Sequence, residues 1–359
     1  MSAANSVSVQ PLVSIIVPAR NEEASLGSCL KSLVGQAGVS FEIIVVDDGS
    51  TDRTREIAQS FPEVRVVDAG PLPPGWTGKN NAVTGGARTA RGEWLLFTDA
   101  DTVHKPGSLA RALAEAEKKD AAMLSYSPEQ DVRGFWEQAV MPVIFAELAA
   151  TYRPSRVSDP ASPAAAANGQ YILVSRDAYD AVGGHAAVAT SLLEDVALAR
   201  AVKASGRKIF FRYGGDAVRT RMYRSFAQLR EGWTKNLALL FPSPARLAVL
   251  RLTEFVLIVA SAGLTVREAL AGRPIVEMAA AIAFLAVGAG FVARISKAHF
   301  PARLTAPSLL GLPMFSYLLL RSAAAHRHGN VVWKGRSYGA GTAHVGADAL
   351  VRPVERRSA

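Results

Sequence analysis

Cysteine is almost missing from this 359-residue chain: Cys29 stands alone, so no disulfide framework can form within it. Leu26, Leu30 and Leu33 share its helical spacing, which puts the thiol on an apolar face as a buried core group. Residues 1–12 have neither the basic start nor the apolar run of a secretory leader, so the leading domain is expected in the cytosol. Acidic residues are scarce in one stretch. From Arg200 to Arg251 there are twelve Lys and Arg against two acids, Asp216 and Glu231. No zinc-ligand spacing or nucleic-acid-binding signature accompanies that patch. With apolar sequence beginning beside it, an anionic membrane surface is the expected partner, and nucleic acid is not.

Long apolar runs are absent before about residue 240 and frequent after it. Three stand out: Leu252–Val266, Ile275–Ala293 and Leu304–Leu320. The middle one approaches the roughly 20 residues that span a bilayer. The first is shorter, with Arg251 and Glu254 at its edge. The third is broken by Pro307, Gly311 and Pro313 and is expected to kink or re-enter. The sequence after it is basic (Arg321, Arg327, Lys334, Arg336, Arg352, Arg356, Arg357). From a cytosolic start, three crossings would put those charges outside, against the positive-inside tendency. An even number of crossings fits better, with one segment interfacial or re-entrant.

The first two-thirds alternates differently. Val13–Val17, Phe41–Val46, Val64–Asp68 and Trp94–Thr98 are apolar or β-branched runs of strand length. Helical stretches separate them, with Asn21, Ser50-Thr51-Asp52, and Thr77 or Gly78 as candidate starts. Strands alternating with helices predict an α/β fold with a doubly wound, mostly parallel sheet. Pro18–Glu22, Asp47–Thr51 and Asp99–Asp101 each follow a strand, so all three polar clusters fall on the carboxyl rim where such sheets bind ligands. Residues 151–168, with three prolines, read as a loop that orders over the site. Helical spacing resumes at Leu193–Val202 and Phe226–Leu240.

Asp99 and Asp101 point the same way at a strand end. Two adjacent carboxylates repel unless a cation joins them, and oxygen-only ligands suit Mg²⁺ or Mn²⁺. Such an ion would bridge a diphosphate and stabilise it as it leaves. Asp47 and Asp48, before Gly49, can accept from a nucleobase N–H or ribose hydroxyls. Glu194 and Asp195 open a helix, where the dipole favours acids and where one of them can serve as a general base toward a hydroxyl. Trp76, in a Pro/Gly-rich loop, either stacks on a ligand or pins the loop. His185 is a structural or substrate-contacting residue, and Trp233 is either an acceptor-site floor or helix packing.

Taken together, VSIIVPARNEE, IIVVDDGSTD, Gly78-Lys79-Asn80-Asn81, GEWLLFTDAD and LLEDVALARAVK resemble the family 2 glycosyltransferases of the A-type, Rossmann-like fold, over about residues 11–240. The resemblance implies an inverting transfer in one step from a nucleotide-sugar, a UDP-sugar or similar. It places Pro18, Ala19, Arg20, Glu22, Asp47 and Asp48 against base and ribose, and Lys79 near the nucleotide. Asp99 and Asp101 match its metal and diphosphate motif, and Asp195 its base, with Glu194 as the alternative. PLPPGWTGKNNA, NGQYILVSRDAY, VGGH and WKGRSY, with the apolar segments, are further similar to bacterial membrane glycosyltransferases of carotenoid or hopanoid pathways. That similarity implies a hydrophobic lipid acceptor at the cytosolic face of the cell membrane. The Gln/Arg-x-x-Arg-Trp motif of processive relatives is not matched, since Gly232 precedes Trp233. The expected organisation is a disordered N-terminus over 1–10, a catalytic domain over 11–245, membrane-associated helices over 246–325 and a basic tail over 326–359. Polyprenyl phosphate as acceptor, or a scaffold with a vestigial sugar domain, are the alternatives.

Overall fold

Runs of β-branched and aromatic side chains set the central sheet of the protein, a computed structural model in which residues 10–339 are described. The expected disordered start lies outside that range up to residue 9, as does the basic tail from residue 340. Strands β1 (Val13–Ala19), β2 (Phe41–Asp47) and β4 (Trp94–Phe97), with β3 (Val64–Asp68) beyond β2, follow the predicted runs closely. Helices α1 (Leu26–Val34), α2 (Thr54–Gln59) and α3 (Gly78–Thr89) connect them. Next come β5 (Thr102–His104), α4 (Ser108–Lys118), β6 (Met123–Ser127), β7 (Glu129–Gln130), α5 (Phe135–Thr151) and α6 (Pro154–Val157). Then follow β8 (Ile172–Ser175), α7 (Arg176–Ala181), α8 (Glu194–Ala204), β9 (Ile209–Tyr213) and β10 (Val218–Thr220). The rest is helical: α9 (Phe226–Leu240), α10 (Pro244–Leu270), α11 (Pro274–Ile295) and α12 (Thr305–Arg327), closed by the hairpin β11 (Val331–Trp333) and β12 (Arg336–Tyr338).

The main sheet runs β3-β2-β1-β4-β8-β6-β9. Its first four strands are parallel, as are β6 and β9, while β8 is antiparallel to both its neighbours. This is the expected doubly wound, mostly parallel α/β architecture with one reversed strand. Register decides where the chemistry sits. Ala19 pairs with Asp47, and Asp47 with Asp68, so three strands end level on one rim. Thr77 caps α3 by accepting the Asn80 N–H at 3.2 Å, and Asp52 receives the Thr54 N–H at 3.0 Å at the start of α2, both as local sequence predicts. Asn21 does not cap α1. It sits at φ 53° and accepts the Thr51 N–H at 2.8 Å, tying one rim loop to the next.

The chain divides into two compact units. One holds the sheet, from the N-terminal part to Glu129 together with Pro154–Arg221; the other holds Gln130–Arg153 and the chain from Met222 onward. Helices α5 and α9 therefore group with the apolar helices. For α5 the cause is composition: Ala139 to Ile144, with Ala146, are all buried. The stretch 154–168 is packed in the sheet unit instead of waiting on a ligand. Lys203 Nζ donates to the carbonyls of Val157 at 2.7 Å and Ala164 at 2.6 Å. Helix α12 continues unbroken through Pro313.

Candidate active site

The rim of the sheet assembles most of the expected polar residues from the bottom of its strands upward. At the end of β1, Ala19 accepts the Asp48 N–H at 2.9 Å. Arg20 Nη1 donates to the Asp48 carbonyl at 2.5 Å and to that of Gly49 at 3.3 Å. The Arg20 guanidinium thus braces the turn after β2 against the end of β1, the strand that carries Pro18. Asp47 spends its carboxylate locally, accepting the Ser50 N–H at 3.1 Å and facing Arg55 at 3.4 Å. Glu22 accepts from Ser25 Oγ at 2.7 Å.

Three of the acids converge below that turn. The Cys29 thiol, fully buried, is pushed far up by burial and then by the nearby carboxylates of Asp101, Asp99 and Glu22. Its Sγ lies 3.8 Å from the Asp99 carbonyl oxygen. The expected core thiol is thus also the floor beneath the acidic turn. A buried polar network holds the turn: Thr220 Oγ1 donates to the Asp101 carbonyl at 3.2 Å, and Gln170 Nε2 to Thr220 Oγ1 at 3.3 Å. Thr98 Oγ1 reaches the Gln170 carbonyl at 2.8 Å and His104 Nε2 at 3.0 Å. Burial keeps His104 neutral, at a pKa of about 3.

Lys79, in the first turn of α3, joins the two halves of the site. Its Nζ lies 2.7 Å from Asp99 Oδ1 and 2.7 Å from Glu194 Oε1. Burial opposes the charge on this ammonium, yet the two carboxylates hold its pKa well above the ordinary value. Asp195 stands beside them, accepting the Gly169 N–H at 3.0 Å and the Val196 N–H at 2.8 Å. Its pKa is raised to about 6 by burial and by the Glu194 charge, with Lys79 and the two N–H donors pulling the other way. Gly169 is glycine for a spatial reason: a Cβ there would come within 2.8 Å of Lys79 Nζ and 3.4 Å of Glu194 Oε1. NGQY stood out in the sequence, but only the fold shows what its glycine faces.

Asn80 is a second contributor, part of a motif marked in the sequence but given no role there. Its Nδ2 donates to the carbonyls of Val188, Ala189 and Ser191 at 3.0, 2.9 and 3.1 Å. The strap leading to Glu194 is thereby fastened to the helix that carries Lys79. His185 is buried, bonded to Tyr179 Oη at 3.1 Å and edge-on to Phe97. Burial and the Lys79 charge lower its pKa to about 4 against the pull of Glu194. Its surroundings are those of a neutral packing residue. Trp76 is half-buried in its loop, where its backbone N–H donates to the Pro73 carbonyl at 3.1 Å. Trp233 lies in the helical unit at 2% exposure, its indole N–H 3.3 Å from Met141 Sδ and its ring edge-on to Phe145 and Tyr223. It packs helices together and presents no open face.

Asp99 and Asp101 supply only oxygen, the donor type that Mg²⁺ and Mn²⁺ prefer. Among the described residues no group of three or more His, Cys, Asp or Glu is arranged to hold a metal ion. By donor type, Asp99 and Asp101 are the residues that would hold such an ion.

Residues 14–183 match the glycosyl transferase family 2 profile. Over 235 residues the chain is 31% identical to 4,4'-diaponeurosporenoate glycosyltransferase of Staphylococcus aureus, an alignment covering 63% of this chain and 60% of that protein. The chain thus spans about three-fifths of the length of that relative. Among solved structures, it is similar to the mannosyltransferase PcManGT of Pyrobaculum calidifontis in complex with GDP-Man and Mn²⁺. That likeness has a TM-score of 0.49 at 17% identity, over 89% of this chain and 87% of the other. It is also similar to glucosyl-3-phosphoglycerate synthase of Mycobacterium tuberculosis with Mn²⁺, UDP and phosphoglyceric acid, with a TM-score of 0.42 at 22% identity over 63% and 78% of the two chains.

Proposed function

We propose that the protein transfers a single sugar from a nucleotide-sugar, a UDP-sugar or similar, to the polar end of a hydrophobic lipid at the cytosolic face of the cell membrane. The observation that carries this is the meeting of Lys79, Asp99, Glu194 and Asp195 on one rim, with Asp195 held near pKa 6. A base poised there is ionised at neutral pH yet basic enough to take a proton. Asp195 removes the proton of the acceptor hydroxyl as its oxygen attacks the anomeric carbon. The bond to the nucleoside diphosphate breaks in the same step, so configuration inverts. Lys79 and the Arg20-braced turn hold the nucleotide, with Pro18, Ala19, Glu22, Asp47 and Asp48 around base and ribose. Asp99 and Asp101 would hold Mg²⁺ or Mn²⁺, which when bound supplies positive charge against the departing diphosphate.

Two features support a lipid acceptor. Among the described residues three helices are long and apolar enough to cross a membrane, and the S. aureus relative is named as a 4,4'-diaponeurosporenoate glycosyltransferase. A carotenoid- or hopanoid-like molecule is the corresponding acceptor class here. The test incubates membranes containing the full chain with a panel of labelled nucleotide-sugars, then identifies labelled lipids by mass spectrometry. One glycolipid is expected, lost on addition of a chelator and in Asp101→Ala. No labelled lipid with any donor, or near-full transfer by Asp101→Ala, would overturn the assignment.

A further inference from the structure

Three helices could cross a membrane by length and composition, yet their surroundings differ. Of the most apolar window in each, 17% is buried in α10 and 11% in α11, against 44% in α12. Large side chains stand exposed along the first two, from Val249 and Leu250 through Val256, Val266 and Leu270 to Ile275, Ile282 and Leu285. Helices α10 and α11 form a hairpin. Its open end is fastened by Arg294, which lies 2.7 Å from Glu254 and 3.1 Å from Glu147 of α5. Its turn carries Glu268 between Arg267 at 2.6 Å and Arg273 at 3.6 Å. From Glu254 to Leu270 the rise is about 24 Å, and from Pro274 to Arg294 about 30 Å. The hydrocarbon core of a bilayer is about 30 Å thick.

Helix α12 belongs to the polar base of that hairpin. Gly311 lets it approach α5 so closely that a Cβ would lie 2.0 Å from the Ala139 carbonyl oxygen. Ser322 Oγ donates to the Thr234 carbonyl at 2.6 Å, Arg321 Nε to Thr234 Oγ1 at 3.2 Å, and His326 Nε2 meets the Lys235 carbonyl at 2.8 Å. Their partner α9 carries Arg230, Glu231 and Lys235, charges that hydrocarbon would exclude. Beyond α12, the Lys334 N–H donates to Glu231 at 3.0 Å, and the Lys235 ammonium lies 5.2 Å over the Trp333 ring. The chain entering α10 and the chain leaving α12 are therefore bonded to the same helix. An even number of crossings must lie between them, and burial singles out the pair.

We propose that α10 and α11 alone cross the bilayer, as a hairpin with its turn on the far side, and that α12 stays on the near side with α5 and α9. This rests on the membrane placement proposed above and fixes its topology. Leu310, Tyr317 and Leu320, exposed along one stripe of α12, suit the headgroup boundary. Charge sets the direction. Arg246, Arg251, Arg294, Lys297, Arg303, Arg321 and Arg327 fall on the near side, against Arg267 and Arg273 at the turn, so the near side faces the cytosol.

The chain is well suited to the test, because its one cysteine, Cys29, is fully buried and silent toward a membrane-impermeant maleimide. Ala271→Cys at the turn, Ser296→Cys after α11 and His328→Cys after α12 are introduced singly into the full chain in bacterial cells. Labelling of intact spheroplasts is expected at 271 only, with 296 and 328 reacting after permeabilisation. Labelling of 328 in intact spheroplasts would mean a third crossing, and no labelling of 271 would mean that the hairpin does not cross. Labelling of 296 in place of 271 would mean the opposite orientation. Each of these overturns the proposal. The readout needs no turnover, so a chain that transfers no sugar can still show this topology, and an active one can still refute it.

Discussion

The two units handle charge in opposite ways. In the helical unit Arg251 and Arg294 meet Glu147 and Glu254 at 2.7–3.1 Å, two cations against two anions, each side chain no more than 16% exposed. In the sheet unit the Lys79 ammonium is shared by Asp99 and Glu194 while Asp195 stands alongside, its pKa raised by burial first and by the Glu194 charge second. Matched ions in a dry place hold helices together. An ion cluster with excess carboxylate instead stores a demand for positive charge or for a proton, which is what a donor, a metal and an acceptor hydroxyl bring. The contrast teaches which buried charges to assign to stability and which to chemistry.

Removing the proposed base is expected to have the largest effect. Asp195→Asn keeps the shape and the hydrogen bonds of the carboxamide oxygen but cannot take a proton. Transfer to a hydroxyl should fall about 10³-fold, equivalent to about 4 kcal/mol of barrier, with the thermal midpoint unchanged. Product formation under saturating donor reads this directly. A residual rate within tenfold of the parent would mean that the acceptor needs no base, as expected for a phosphate acceptor.

Breaking the matched cluster should have the converse signature. Glu147→Ala leaves Arg251 and Arg294 sharing Glu254 in an apolar setting, at a cost of about 3–5 kcal/mol. Thermal unfolding in detergent should show the loss, while the sheet unit keeps its affinity for nucleotide. Unchanged unfolding would mean that water or lipid headgroups already satisfy these groups.

How much of this was legible in sequence depends on where the forces act. The first four strands and the rim carboxylates were readable because burial on two faces demands continuous apolar runs, and because strand ends then place polar residues by register. The antiparallel insertion of β8 was not readable, since ILVS has the same composition in either direction. Nor was the membership of α5: an all-round apolar helix between sheet strands looks the same whether it covers a sheet or joins a helical base. Trp233 shows the same limit, as its spacing in α9 is equal for a ligand face and a packing face, and Met141 and Tyr223 decide between them. Asn21 had the right residue type for a cap but went to Thr51 instead, because the neighbouring rim loop offered an N–H. Three apolar segments were visible, but their differing burial depends on long-range partners such as Glu147 and Thr234.

Gly169 tests the geometry of the unmatched cluster without touching a charge. A methyl group at this position would press on Lys79 Nζ, and shifts of about 1 Å at reacting groups cost up to about 10²-fold. Gly169→Ala should lower kcat by roughly that factor, about 2.7 kcal/mol. A rise in KM for the donor would accompany it as Lys79 moves. Gly85→Ala, whose Cβ would lie 3.9 Å from its nearest neighbour outside the helix, is the control with little expected change. Equal effects of both would make Gly169 a folding residue only.

The smallest effect expected is also the most specific. Asp195 must be ionised to act, and its pKa of about 6 means that the rate should fall about tenfold per pH unit below 6 and level off above it. Burial raises that value first and the Glu194 charge second, while Lys79 lowers it. Glu194→Gln removes the second cause, so the midpoint of the profile should move down while transfer at pH 8 persists. Lys79→Met removes the opposing charge and should move the midpoint up. If Glu194→Gln instead abolishes transfer at every pH, and Asp195→Asn does not, the two acids exchange roles: the carboxylate paired with Lys79 is then the base, and the one on the Gly169 amide only positions it.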